Sequence, residues 1–132
     1  MKKLICILLA LIMLTGCSAN RTDITAEEII AAYESAGYCV SSGTYDETLD
    51  HGQTGYIQAD HPDGGYIYFS IYESEAAAKA AKDELYHPGM TAFFSMIFGD
   101  PSWLRWEVHG NIIVEYDQAE FYDVFEMLLK EH

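Results

Sequence analysis

The chain has 132 residues, seven Lys and Arg against 21 Asp and Glu, a formal charge of −14 and a pI near 4.4. Its few cations are scattered, so no basic patch exists to neutralise phosphates, and this excludes nucleic-acid binding. The length suits a single domain with one core rather than several.

Met1-Lys2-Lys3 is a short positive start, and every residue from Leu4 to Leu14 is apolar. A helix needs about 20 apolar residues to span a bilayer. This shorter run suits the apolar region of a secretory signal peptide. It ends in Leu14-Thr15-Gly16-Cys17. The stretch resembles the bacterial lipobox, in which Leu, a small residue and Gly or Ala precede a Cys; the resemblance covers residues 1–17 alone. It implies that the Cys17 thiol takes a diacylglyceryl group and that a lipoprotein signal peptidase cuts between Gly16 and Cys17. The expected organisation is then a signal peptide over 1–16, a lipidated tether over 17–23 and one domain over 24–132. Such a chain is anchored to a membrane, outside the cytoplasm, and does not span it. Ser18 follows the anchor where Asp is absent, which in a two-membrane envelope points to the outer membrane.

Loss of the leader removes Lys2 and Lys3 and no acid, leaving a charge of −16 over 116 residues. Anionic headgroups would repel such a domain, so lipid alone must hold it. The charge either keeps an exported domain soluble or attracts cations: metal ions, basic peptides or a basic protein surface. Cys6 leaves with the leader and Cys17 carries lipid, so Cys39 is the remaining thiol and the mature chain forms no internal disulfide. Tyr38-Cys39-Val40 reads as a half-buried strand, which makes Cys39 a buried structural thiol.

Ser18 to Asp23 is a polar tether that reaches about 20 Å at full extension. Thr25-Ala26-Glu27-Glu28 is a capping box with Ile24 and Ile29 placed as its hydrophobic staple, and it opens a helix that Gly37 ends. Ile29, Ile30 and Tyr33 form its buried stripe. Strands are expected over Tyr38–Ser42, Tyr56–Ala59 and Tyr66–Tyr72. In the third, Ile67, Phe69 and Ile71 face one way and Tyr66, Tyr68, Ser70 and Tyr72 the other. The turn formers from Asp60 to Gly65 predict a hairpin between the last two. Ser74 caps a second helix running to Leu85, whose alanines suit close packing on a sheet. Met90–Phe98 reads as a short apolar helix, either a docking patch or a cap on the core. Trp103 to Tyr116 reads as a second hairpin. A three-residue loop, His109-Gly110-Asn111, would set Val108 opposite Ile112 and Trp106 opposite Val114, on one apolar face, with Asn111 left-handed. Asp117 would cap a last helix striped by Phe121, Val124, Phe125 and Leu128. The order is α-β-β-β-α-β-β-α: an α+β fold with an antiparallel sheet of about five strands and helices on one face.

Two groups of residues could carry chemistry. Asp46, Glu47, Asp50, His51, Asp60, His61 and Asp63 mix carboxylates and imidazoles of the kind that bind Ca²⁺, Zn²⁺ or Mn²⁺; the metal candidates among them are Asp50, His51, Asp60, His61 and Asp63. Their spacing is neither an EF-hand nor a His-Glu-x-x-His helix, and turns are rich in Asp for backbone reasons alone. Tyr56, Tyr66, Tyr68 and Tyr72, with Trp103, should share the sheet face away from the core. Aromatics beside carboxylates suit a basic protein, a basic peptide or a glycan; the competing reading is that Tyr simply favours half-buried strands. No Gly-x-Ser-x-Gly motif or glycine-rich phosphate loop is present, His109 reads as a turn residue, and Glu107 with Glu115 reads as a solvated pair on an outer face. The sequence therefore favours a non-catalytic binding module of the cell envelope, without a cofactor beyond the lipid on Cys17. The alternative is a divalent-metal-binding protein or metal-dependent enzyme built on the Asp46–Asp63 loops.

Overall fold

A computed structural model describes residues 21–47, 49–85, 96–97 and 105–131. The segment expected to be a leader, Cys17 and Trp103 lie outside them, as does most of Met90–Phe98, of which Met96 and Ile97 are helical and exposed.

The first helix, α1 (Ala26–Ser35), begins where local chemistry places it. The Glu28 backbone N–H donates to Thr25 Oγ1 at 3.3 Å and the Thr25 N–H donates to Glu28 Oε2 at 2.8 Å. Two of the helix's otherwise unpaired N–H groups are thereby satisfied. Ile24 and Ile29 are both buried, and Gly37 leaves the helix with φ +90°. Strand β1 (Cys39–Thr44) follows, then a single 3-10 turn (Asp50–Gly52), then β2 (Gln53–Asp60) and β3 (Tyr66–Tyr72). The Ala77 N–H donates to Ser74 Oγ at the start of α2 (Glu75–Leu85). β4 (Arg105–His109), β5 (Ile112–Tyr116) and α3 (Ala119–Lys130) complete the described chain. The cap of α3 is Gln118, not Asp117, and Gln118 makes no side-chain cap bond.

The strands form one antiparallel sheet in the order β1-β2-β3-β5-β4. The α+β class and the element order are those the sequence predicts. One face carries the main core: Ile57, Ala59, Ile67, Phe69, Ile112 and Val114 pack against Ile29 and Tyr33 of α1 and Phe121, Phe125 and Leu129 of α3. The Tyr33 hydroxyl donates to the Phe121 carbonyl at 2.7 Å, tying the two helices together.

The expected placement of all helices on one face is corrected. Side chains alternate along a strand, so Ile113 points away from Ile112 and Val114. With Tyr72 it packs against Ala78 and Ala81 of α2, on the opposite face. The two buried alanines let the helix backbone approach this smaller apolar patch.

The second hairpin is also corrected. His109 pairs with Ile112, so the turn is the two residues Gly110-Asn111. Gly110 has φ +56°, and the one described non-glycine residue with positive φ is His51, so Asn111 is not left-handed. A positive φ at the first central position alone is the type II′ arrangement. Asn111 instead bonds to β3: its side chain donates to the Tyr72 carbonyl at 2.8 Å, and its carbonyl accepts from the Tyr72 N–H at 2.8 Å. The register that follows places Trp106 opposite Glu115 and Val108 opposite Ile113, while Glu107 and His109 join the face of Val114 and Ile112. Because β4 is an edge strand, these polar side chains can reach the rim of the core without full desolvation.

Candidate functional site

The face away from the main core has two parts. α2 covers the part around Tyr72 and Ile113. The other part carries half-buried tyrosines. Gly43, Tyr56 and Ser70 pair across β1, β2 and β3, and the Tyr56 ring lies over Gly43, where a Cβ would sit 2.9 Å from its Cε1. The missing side chain makes room for the ring. Tyr56 and Tyr68, diagonal neighbours on β2 and β3, have ring centroids 5.9 Å apart and planes within 5° of parallel. Tyr45, just beyond β1, extends the row with its centroid 6.1 Å from that of Tyr56. The Tyr56–Tyr68 pair is an offset stack, since diagonal cross-strand rings lie within reach of one another, and Tyr45 tilts against it by 36°.

Polar groups border this row. The Tyr66 hydroxyl donates to Glu115 Oε1 at 3.3 Å, and the Gln58 amide donates to Asp60 Oδ1 at 2.8 Å. Pairing across the sheet sets Ser41, Gln58, Tyr68, Glu115 and Trp106 in one line. Burial, followed by the neighbouring Tyr45 and Tyr56, pushes the Tyr68 phenol up to about 12. Burial and then Glu115 raise Tyr66. Both hydroxyls therefore stay protonated at neutral pH and can donate hydrogen bonds.

Of the tyrosines expected on this face, Tyr56, Tyr66 and Tyr68 come together. Tyr72 points to the same side but is 3% exposed beneath α2, so it is removed from the candidate surface. Trp106 holds an outer-face position next to the row, one that sequence reasoning assigned to the core. The signal for it was the parity of a two-residue turn. Cys39 is exposed, at a β1 edge position paired with Asp60, and is not the buried thiol expected.

The metal candidates are divided. Asp50 and His51 precede β2, whereas Asp60 ends it and His61 and Asp63 follow. Eight strand residues separate the halves by about 25 Å, so one ion cannot bridge them. His51 Nδ1 lies 3.1 Å from a Glu84 carboxylate oxygen on α2. His61 stacks on Phe121, with ring centroids 5.3 Å apart, and its Nδ1 accepts from the Asp63 N–H at 3.2 Å. Among the described residues no three His, Cys, Asp or Glu side chains converge.

A second polar cluster, unforeseen from sequence, sits where β4 and β5 meet α3. The Tyr122 hydroxyl lies 2.7 Å from His109 Nε2, which lies 3.2 Å from Glu107 Oε2. The Tyr116 hydroxyl donates to Glu107 Oε1 at 3.2 Å. The expected solvated pair of Glu107 and Glu115 is corrected, because the two occupy opposite faces. Burial alone would raise the Glu107 carboxyl. Hydrogen bonds from Tyr122, His109 and Tyr116 outweigh it and hold the group below the usual carboxylate range. The same carboxylate, after burial, raises Tyr116 and Tyr122. The cluster docks α3 onto the sheet edge, and the edge-to-face contact of His109 with Phe125 supports that role.

Among the described residues no helix is long and apolar enough to cross a membrane. No protein-family model, no curated protein and no solved structure matches the chain, so its functional reading rests on the geometry above.

Proposed function

We propose that this protein is an exported lipoprotein, held to a membrane by diacylglyceryl on Cys17, whose α+β domain is a non-catalytic binding module of the cell envelope. The observation that carries the binding reading is the row of Tyr45, Tyr56 and Tyr68 on a sheet face, with Tyr56 and Tyr68 stacked, Tyr45 tilted beside Tyr56, and Glu115 and Asp60 at its border. Such a surface presents π-faces to a Lys or Arg side chain and carboxylates to its charge. A chain of formal charge −14 attracts the same partner from a distance. The partner that fits best is a basic segment of another protein; a glycan stacking on the same rings is the other outcome of the test.

The test is calorimetric titration of the purified mature domain with a Lys/Arg-rich peptide and, separately, with neutral oligosaccharides. Binding should be lost in the Tyr66→Ala, Tyr68→Ala double variant and kept in the His51→Ala, His61→Ala double variant. The reverse pattern, with a thermal midpoint that Ca²⁺, Zn²⁺ or Mn²⁺ raises and chelator lowers, would replace this reading with a metal-dependent one. A bound ion at 100 times its Kd adds about 2.7 kcal/mol, which a melt resolves easily.

A further inference from the structure

The segment that leaves the anchor does not hang free. The Arg21 N–H donates to the Leu129 carbonyl at 2.9 Å, satisfying a carbonyl in the last turn of α3. The Arg21 guanidinium, 21% exposed, reaches Asp23 Oδ1 at 3.1 Å and Glu28 Oε1 at 3.0 Å. The Thr22 carbonyl lies against Gly110, where any Cβ would approach it to 2.9 Å; the turn must carry glycine for the strand to pass. Ile24 is buried in the main core and Thr25 caps α1. Residues 21–25 are thus strapped to α3, to the β4–β5 turn and to α1.

All three attachments lie at one end of the domain. The β4–β5 turn sits beside Tyr72, the last residue of β3. β3 begins six residues earlier, next to the His61–Gly65 turn, so that turn lies about 20 Å away. The opposite end is marked by Tyr38, His61 and Phe121, whose rings pack on one another. α3 runs from that end back to the strap over 12 residues, or about 18 Å.

We infer that the domain stands end-on at the membrane, with the β4–β5 turn and the C-terminus of α3 facing the lipid surface and the Pro62–Gly65 turn outermost. The inference rests on the lipid-anchor reading of Cys17. Four chain steps separate Cys17 from Arg21 and span at most about 14 Å. This is less than the length of the domain, so the domain cannot invert to bring the Pro62–Gly65 turn to the bilayer. Tipping onto a side would press acidic helix faces, with Glu27 and Glu34 on α1 or Glu75 and Asp83 on α2, against anionic headgroups. The end-on stance keeps them in water. It also leaves the tyrosine row upright beside the bilayer, open to a partner arriving along the membrane.

The experiment uses full-length lipidated protein with Cys39→Ser, reconstituted in anionic vesicles that contain lipids with a nitroxide on the headgroup. A fluorophore is placed by Glu131→Cys at the strap end or by Asp63→Cys at the opposite end; both positions are exposed. Quenching should be several-fold stronger at 131 than at 63. Equal quenching, or the reverse, overturns the orientation. Inserting about a dozen Gly/Ser residues after Ser18 frees the reach of the chain and should abolish the difference; a difference that survives the insertion overturns the strap as its cause. Vesicle flotation of the same samples separates the two readings. If Cys17→Ala floats as well as the parent, the anchor reading has failed and the orientation with it. If flotation depends on Cys17 while quenching is equal at both sites, the orientation alone has failed.

Discussion

Replacing Asn111 with Gly tests the register on which the candidate surface depends. If Asn111 occupied the left-handed position of a three-residue loop, glycine would relieve its Cβ and the change would be neutral or slightly stabilising. In the structure the left-handed residue is Gly110, and Asn111 spends its side chain on the Tyr72 carbonyl at 2.8 Å. Its loss removes one net hydrogen bond, about 0.5–1.5 kcal/mol. The new glycine also widens the unfolded ensemble, at a cost of about 0.4–1 kcal/mol. Together the two effects destabilise by about 1–2.5 kcal/mol. A folded domain of about 110 residues loses about 4 °C of midpoint per kcal/mol, so the melt should fall by about 4–10 °C. Circular dichroism or calorimetry on the mature domain reads this directly. An unchanged or higher midpoint would refute the two-residue turn and return Trp106 to the core face.

Further outcomes follow from the packing and from the charges. Tyr33→Phe removes the buried hydroxyl that joins α1 to the Phe121 carbonyl, and should cost about 1 kcal/mol and about 4 °C without altering the fold. Tyr33→Ala opens a cavity between the helices and should cost about 3–5 kcal/mol, so a small difference between the two variants would contradict the burial of that ring. Glu107 has its folded pKa lowered, so its contribution is present above the ordinary carboxylate range and is lost as pH falls through the folded value. The midpoint difference between the parent and Glu107→Gln should therefore be full near neutral pH and shrink below about pH 4; a difference that grows on acidification would invert the sign of this argument. Cys17→Ala should abolish palmitate labelling and release the protein from membranes, and continued labelling would remove the lipid assignment.

The features legible in the sequence are those settled within a few residues. The capping box of Thr25 and Glu28 works because both groups lie in one helical turn, and the structure contains both of its bonds. Alternation in Tyr66–Tyr72 revealed the strand and its two faces, since period two needs no knowledge of the partner strand. The stripe of α3 was visible for the same reason at period 3.6, with Phe121, Phe125 and Leu128 buried as expected. The number of strands and their antiparallel pairing followed from the hairpins, whereas the placement of β5 beside β3 did not. Of the aromatic face, Tyr56, Tyr66 and Tyr68 were readable from parity within single strands, whereas Tyr45, which extends the row, was not.

What the tertiary structure decided lies between residues far apart in the chain. The length of the β4–β5 turn depends on bonds from Asn111 to Tyr72, 39 residues away, and on Thr22 passing Gly110. Gathering apolar residues on one face argued for a longer loop. That reasoning failed because the second face of this sheet is covered in part: Ile113 and Val108 have their own partner in α2. The same choice of register moved Trp106 to the outer face and brought Glu107 and His109 to Tyr122. Tyr72 alternates with its neighbours as predicted, yet helix docking buries it, and alternation reports direction without reporting cover. The strap of Arg21 was invisible in a polar segment, because its partners Leu129 and Gly110 become neighbours only when α3 and the hairpin have folded to the same end.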